Sequence, residues 1–221
     1  MEFEDLLTKS KWNILKELAK GEKSAVEIAK KTGQSIANVT QQLQLLEAYN
    51  LVKKAKQEKG KKPGKPRTPY ILNQEIFVAS MLKPGIADKK LLKLKDLDDC
   101  HKFLLNLFFI VNSEDHYYLI KFACITDILK KADIITYLKA DDKEIEIMIV
   151  TEQIKEVREK YSNMGIEGFD GKTKKIISWS HNKKEVEEGL ERKEEYFVNL
   201  IKNSKELIDK KETIKELREK I

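Results

Sequence analysis

SAVEIAKKTGQSIANVTQQLQLLEAYNLVKKAKQEKGKKPGKPRTPYIL, residues 24–72, decides how the first part of the chain folds. Ser24 is placed to cap a helix, and Glu27, three positions on, can return the hydrogen bond in the reciprocal pattern of a capping box. Val26, Ile28 and Ala29 give this short helix a buried side, and Gly33 can take the left-handed geometry that ends it. The turn therefore falls at residues 32–34. Ser35 is a second N-cap, after which Ile36, Val39, Leu43 and Leu46 recur at three- and four-residue spacing and share one buried face. The opposite side carries Ala37, Asn38, Gln41 and Gln44, with Thr40 at its margin. A solvated helix face normally carries Lys and Glu; this one carries small and amide side chains.

After the second helix Asn50 is tolerated in the left-handed position, and Leu51-Val52 restarts an apolar run that reads as a strand. Residues 53–67 then hold eight basic side chains (Lys53, Lys54, Lys56, Lys59, Lys61, Lys62, Lys65 and Arg67) against the single acid Glu58. Gly60, Pro63, Gly64 and Pro66 lie among them, the composition of a cationic hairpin tip, and residues 68–72 supply the returning strand.

Helix, turn, helix and basic hairpin in this order resemble the winged helix-turn-helix regulators of the ArsR, MarR and TrmB type, most closely in TQQLQLLEAYNLVKK. The resemblance covers about the first third of the chain. It implies a sequence-selective, usually dimeric transcription regulator whose recognition helix enters the major groove while the wing touches the backbone or minor groove. Amides and hydroxyls can read base edges there, so base-reading roles fall on Ala37, Asn38, Thr40, Gln41 and Gln44. Backbone roles fall on Ser35 and on the wing cations Lys53, Lys54, Lys56, Lys59, Lys61, Lys62, Lys65 and Arg67. Where many relatives end the recognition helix with glycine, Asn50 stands here. The Cys-x-Cys pair of thiolate metal sensors is absent from this stretch.

Charge agrees with that division of labour. Residues 1–72 contain fifteen Lys or Arg against eight Asp or Glu, whereas the remainder holds twenty-eight against twenty-nine. Basicity is thus concentrated where phosphate would be met. The longest apolar stretch, residues 103–111, is interrupted by Asn106 and falls far short of the roughly eighteen residues that span a bilayer. The start, MEFEDLLTKSKW, lacks the basic-then-apolar plan of a secretory signal. A cytoplasmic protein is expected, and heavy use of Lys, Ile and Glu leans toward an AT-rich prokaryote.

The expected fold class is α+β. Residues 1–72 form the winged helix-turn-helix, opened by an amphipathic helix with Trp12, Ile14, Leu15 and Leu18 inward. Residues 73–97 read as a connector broken at Lys83-Pro84-Gly85. Residues 98–221 form a second α+β domain for dimerisation or effector binding. In it Phe103, Leu104, Leu107 and Phe108, then Tyr118, Phe122, Ile125 and Leu129, mark two helices. Residues 134–140 and 144–150 form a hairpin turning at 141–143. A helix at 152–163, a glycine-containing loop, a strand at 174–179 and one long helix over about 183–220 complete the domain. Val186, Leu190, Phe197, Leu200, Ser204, Leu207, Ile214 and Ile221 follow a three-and-four repeat along that last helix, broken by Lys193, Lys211 and Arg218.

Chemistry is sparse. Cys100 and Cys124 lie in apolar contexts and read as buried thiols. With His101 and His116 they match no zinc spacing, and His181 reads as a surface or capping residue. Glu144 and Glu146 alternate on a strand as magnesium-holding carboxylates can, but no glycine-serine phosphate loop precedes them. A nucleotidyltransferase-like enzyme is therefore a remote alternative, and the chain is expected to be no enzyme, with no metal or cofactor. The expected partners are double-stranded DNA and a second copy of the chain, with a small-molecule effector open through the aromatics of the second domain. The nearer rivals are an architectural protein that coats DNA and a winged helix that docks protein.

Overall fold

The computed structural model describes residues 8–55 and 68–221, and the chain divides into two units, Met1–Asp96 and Leu97–Ile221. In the first, helices α1 (Lys9–Leu18), α2 (Ala25–Thr32) and α3 (Ile36–Ala48) accompany three short strands, β1 (Lys23–Ser24), β2 (Val52–Lys54) and β3 (Pro69–Leu72). The strands form an antiparallel sheet in the order β1-β3-β2. The capping box forms as the sequence requires: Ser24 N–H donates to Glu27 Oε2 at 2.8 Å, and Glu27 N–H donates to Ser24 Oγ at 3.4 Å. Gly33 ends α2 at φ 69°, and Asn50 turns the chain after α3 at φ 61°. Ile14, Ile28, Val39, Leu43 and Leu46 have no exposed surface and form the centre of this core. The arrangement is mixed α and β and compatible with a winged helix.

Two expected core residues face outward. Trp12 is 45% exposed and Ile36 51%. The buried stripe of α1 runs through Lys11, Ile14, Leu15 and Leu18, which leaves Trp12 beside it, and that of α3 starts only at Val39. Spacing within a window does not say where a stripe begins.

Residues 73–97 contain more than a linker. β4 (Ile76–Lys83) and β5 (Ile86–Lys93) pair antiparallel over their full lengths, Ile76 opposite Lys93 and Lys83 opposite Ile86. Pro84 and Gly85 close the hairpin, with Gly85 at φ 85°, the pattern of a type II turn in which glycine avoids the Cβ clash.

The second unit is built on a five-stranded mixed sheet whose strands, in spatial order, are β10 (Lys205–Asp209), β6 (Ile134–Ala140), β7 (Glu144–Val150), β9 (Thr173–His181) and β8 (Asn163–Glu167). β6 (Ile134–Ala140) and β7 (Glu144–Val150) form the expected hairpin. Its turn is held by the Asp141 carboxylate, which accepts the N–H groups of Lys143 (2.7 Å) and Glu144 (2.9 Å). The chain then passes through α7 (Ile154–Tyr161) and β8 (Asn163–Glu167) to β9 (Thr173–His181), which runs parallel to β7. Side-chain alternation splits the core in two. On one face Ile135, Tyr137, Ile145, Ile147, Ile149 and Ile176 pack with residues of α4 (Asp99–Ile110), α5 (Ser113–Thr126), α6 (Ile128–Lys131) and α7. On the other, Ile134, Met148 and Val150 pack with α8 (Lys183–Glu191), α9 (Glu195–Asn203) and α10 (Thr213–Glu219).

The single long terminal helix does not form. Three short helices and the edge strand β10 (Lys205–Asp209), antiparallel to β6, occupy that stretch. Lys193 takes φ 55° between α8 and α9, and Gly189 is required where they meet, because a Cβ there would collide with the Phe197 ring. The apparent repeat arose because amphipathic helices and a buried strand segment, with Leu207 and Ile208 inward, happen to share apolar spacing. Cys100 and Cys124, expected inside, are exposed. So are Leu104 and Phe108, since α4 buries only Phe103 and Leu107 fully, and Ile125, which lies off the buried stripe of the following helix. Among the described residues no helix is long and apolar enough to cross a membrane.

Candidate nucleic-acid interface

α3 is fixed from beneath and at its start. Val39, Leu43 and Leu46 anchor one side in the core, and Ser35 Oγ accepts the N–H of Asn38 at 3.2 Å, as the N-cap requires. What remains outside is the stripe Ala37, Gln41, Gln44 and Ala48, all exposed. Their spacing of four, three and four keeps them on one face. Gln41 and Gln44 have no hydrogen-bond partner among the described residues, so both amides present donors and acceptors to solvent.

The other expected base-reading positions are differently used. Asn38 is half-buried, and its Nδ2 donates to Gln34 Oε1 (2.7 Å) and Ser10 Oγ (3.3 Å) while its Oδ1 accepts from Gln42 Nε2 (3.4 Å). Ser10 also donates to Gln34 Oε1 and, through its carbonyl, accepts from Gln34 Nε2 at 3.3 Å. Asn38 therefore braces the α2–α3 turn against α1. Thr40 Oγ1 donates to the Ile36 carbonyl at 2.8 Å, one turn back on its own helix. This network was invisible in the sequence because Ser10 and Asn38 are 28 positions apart.

Beside α3 the strands β2 and β3 carry the base of the cationic hairpin. Lys53 is exposed opposite Ile71, and Lys54, opposite Tyr70, pairs with Glu47 of α3 at 3.4 Å. Ala55 N–H donates to the Pro69 carbonyl at 2.9 Å, so the pairing continues to the last described residue of the outgoing arm. Lys56, Lys59, Lys61, Lys62, Lys65 and Arg67 lie outside the described residues. The third strand, β1, came without a sequence signal; it is only two residues long, and its second residue, Ser24, is also the cap of α2.

Residues 6–71 match the HVO_A0114 family. The HVO_A0114 match spans α1 to α3 and the hairpin strands, ends inside β3, and leaves β4 onward uncovered. No curated protein matches the chain.

In the second unit the groups considered for chemistry are held apart. Glu146 accepts from Trp179 Nε1 at 3.1 Å and pairs with Lys139 at 3.0 Å. His101 bonds Asp98, and His116 bonds the Val111 carbonyl. Among the described residues no three His, Cys, Asp or Glu side chains converge as metal ligands would. His181 is not a simple surface residue: its Nε2 lies 2.9 Å from Tyr196 Oη and its Nδ1 3.5 Å from Glu185. Burial lowers its pKa below 6.5; Glu185 opposes that shift and Arg158 adds to it. As pH falls below that value the unfolded chain protonates this imidazole before the folded one does, so folding loses stability down to the folded pKa. Chemical denaturation between about pH 7.5 and 5 should show this decline. The His181→Gln variant should decline less, and identical slopes would remove the assignment.

Proposed function

We propose that the chain is a DNA-binding transcription regulator acting as a homodimer, with α3 as recognition helix and the hairpin at 53–67 as a basic wing. The observation that carries this reading is the uncharged stripe Ala37-Gln41-Gln44-Ala48 on a helix whose other side is fully anchored, next to strands that lead into eight cations. An amide offers a donor and an acceptor together, the pair that adenine presents in the major groove. Gln41 and Gln44 are the base readers, Ala37 leaves room for close approach, and Thr40 borders the stripe. Asn38 acts at one remove, by setting the angle of α3. Ser35, at the N-terminus of α3, and Lys53 take backbone phosphates together with the wing cations. The ArsR, MarR and TrmB resemblance supports the same reading, and the second unit serves as its regulatory or assembly domain.

The rival is an architectural protein that coats DNA, favoured by the density of lysine in the wing. Such a protein would gain more from Lys or Arg at positions 41 and 44 than from Gln. Competition of fragments selected from genomic DNA against shuffled DNA of equal composition separates the two. A regulator is expected to prefer its site by about 10³-fold or more at physiological salt, and a preference below about tenfold selects the architectural reading. Gln41→Ala should cost about 1–3 kcal/mol on the preferred site and little on shuffled DNA. Equal losses on both would end the base-reading role.

A further inference from the structure

Beyond its base, where Ile76 packs against the first core and β4 is partly buried as far as Ala79, the β4–β5 hairpin lacks the cover that two strands need in water. Two-stranded ribbons are marginal alone and become stable with a third strand or a covering layer. Here every residue of β5 is exposed, as is β4 from residue 80 onward, and Met81, Leu82, Ile86, Leu91 and Leu92 present apolar surface on both faces.

The two edges of this ribbon differ. Leu94 N–H donates to the Glu75 carbonyl at 3.0 Å, which sets the antiparallel alternation. Odd-numbered residues of β4 then face β5, and the N–H groups of Ile76, Val78, Ser80 and Leu82 point away from it. β4 is free of charge from Ile76 to Leu82, whereas β5 carries Asp88, Lys89, Lys90 and Lys93. On β5 the outward N–H of Lys89 already donates to Asp88 Oδ1 at 2.8 Å. Lysines and occupied donors are how sheet edges are blunted. One edge is guarded and the other open.

We propose that the open edge of β4 pairs antiparallel with β4 of a second copy of this chain, giving the four-stranded sheet β5-β4-β4-β5. A second copy is the occupant that fits. A two-fold axis perpendicular to the ribbon generates antiparallel pairing, joins the two neutral edges and keeps the lysine-bearing edges at opposite extremes. Centred on Ala79, the axis sets Val78 against the partner's Ser80 and Ile76 against the partner's Leu82, which uses all four outward N–H groups. The same axis brings the two Ala79 side chains together in a non-hydrogen-bonded pair, the closer kind. This deepens the homodimer of the proposed function by naming its contact, and its test is made without DNA so that the two can fail separately.

The experiment is sedimentation of the full chain at several concentrations, comparing Ser80→Pro with Ala87→Pro. Each removes an outward N–H and leaves the hairpin's own ladder intact, one on the open edge and one on the guarded edge. Ser80→Pro is expected to weaken self-association by at least about tenfold, and Ala87→Pro to leave it unchanged. In parallel, Ala79→Cys in a chain with Cys100→Ser and Cys124→Ser should form an intermolecular disulfide on mild oxidation, while Lys90→Cys in the same background should not. A monomeric wild type, equal effects of the two prolines, or no cross-link at position 79 would each overturn the pairing. A monomer that binds its DNA site would overturn the pairing alone; a dimer dissociated by Ser80→Pro that binds no DNA would overturn the regulator reading alone.

Discussion

Replacing Lys61, Lys62 and Lys65 together by Gln is expected to weaken binding to every DNA sequence and to flatten its salt dependence. Each lysine that neutralises a phosphate releases a condensed counterion, contributing about 0.9 to the slope of log K against log salt. Three lost contacts should lower the slope by roughly 2.7 and the affinity near 0.1 M salt by roughly tenfold to a few hundredfold. The preference for the selected site should survive, because phosphates carry no sequence information. The three positions lie between Ala55 and Pro69, whose backbones are hydrogen-bonded at 2.9 Å. In the proposed reading their charge meets the same stretch of duplex as α3 and Lys53. Titrations at four or five salt concentrations give the slope. An unchanged slope would show that the wing makes no phosphate contact, and the nucleic-acid reading would then rest on α3 alone.

Much of the first unit was legible because its determinants are local. Ser24 with Glu27, Gly33 and Asn50 each fix a boundary through a bond or dihedral made within a few residues, and all four are used as their chemistry requires. Contacts between distant residues were not legible. The Ser10-Gln34-Asn38 network takes an amide off the exposed face, and nothing in the spacing of Asn38 separates it from Gln41, one turn on. The β4–β5 ribbon was obscured for a different reason. A strand whose two faces are alike, partly buried as far as Ala79 and exposed beyond it, has no polar-apolar alternation to display, and IFVASMLK reads equally as helix or strand.

In the second unit the β6–β7 hairpin was plain, its turn at residues 141–143 being bounded by β-rich runs. The terminal stretch misled because no Pro and only Gly189 interrupt 38 residues that hold three helices and a strand. Two of its three breaks come from Lys193 and Glu212 at positive φ, a conformation that these side chains do not advertise, and the third from extended backbone at Ser204.

The same unit holds one buried ion pair, and removing its acid should be the most destabilising single change among the charged residues described. Lys174 on β9 donates to Asp115 on α5 at 2.7 Å, with the aspartate side chain 1% exposed and the lysine 11%. The ammonium also donates to the Asp141 carbonyl at 3.0 Å and lies 5.7 Å from the centre of the Tyr118 ring. These two neutral partners cannot balance a full charge. Asp115→Ala is therefore expected to cost about 3–5 kcal/mol, as breaking a buried pair by removing one partner does. Most of that cost is the penalty of the stranded ammonium rather than the net worth of the pair. Pairing Asp115→Leu with Lys174→Met removes both charges and should recover most of the loss. Denaturant unfolding followed by Trp179 fluorescence, in a Trp12→Phe chain so that the signal comes from this unit, measures both. If Asp115→Ala costs less than about 1 kcal/mol, the pair behaves as a solvated surface bridge and the strand-to-helix contact is held by Ile176, Leu119 and their apolar neighbours alone.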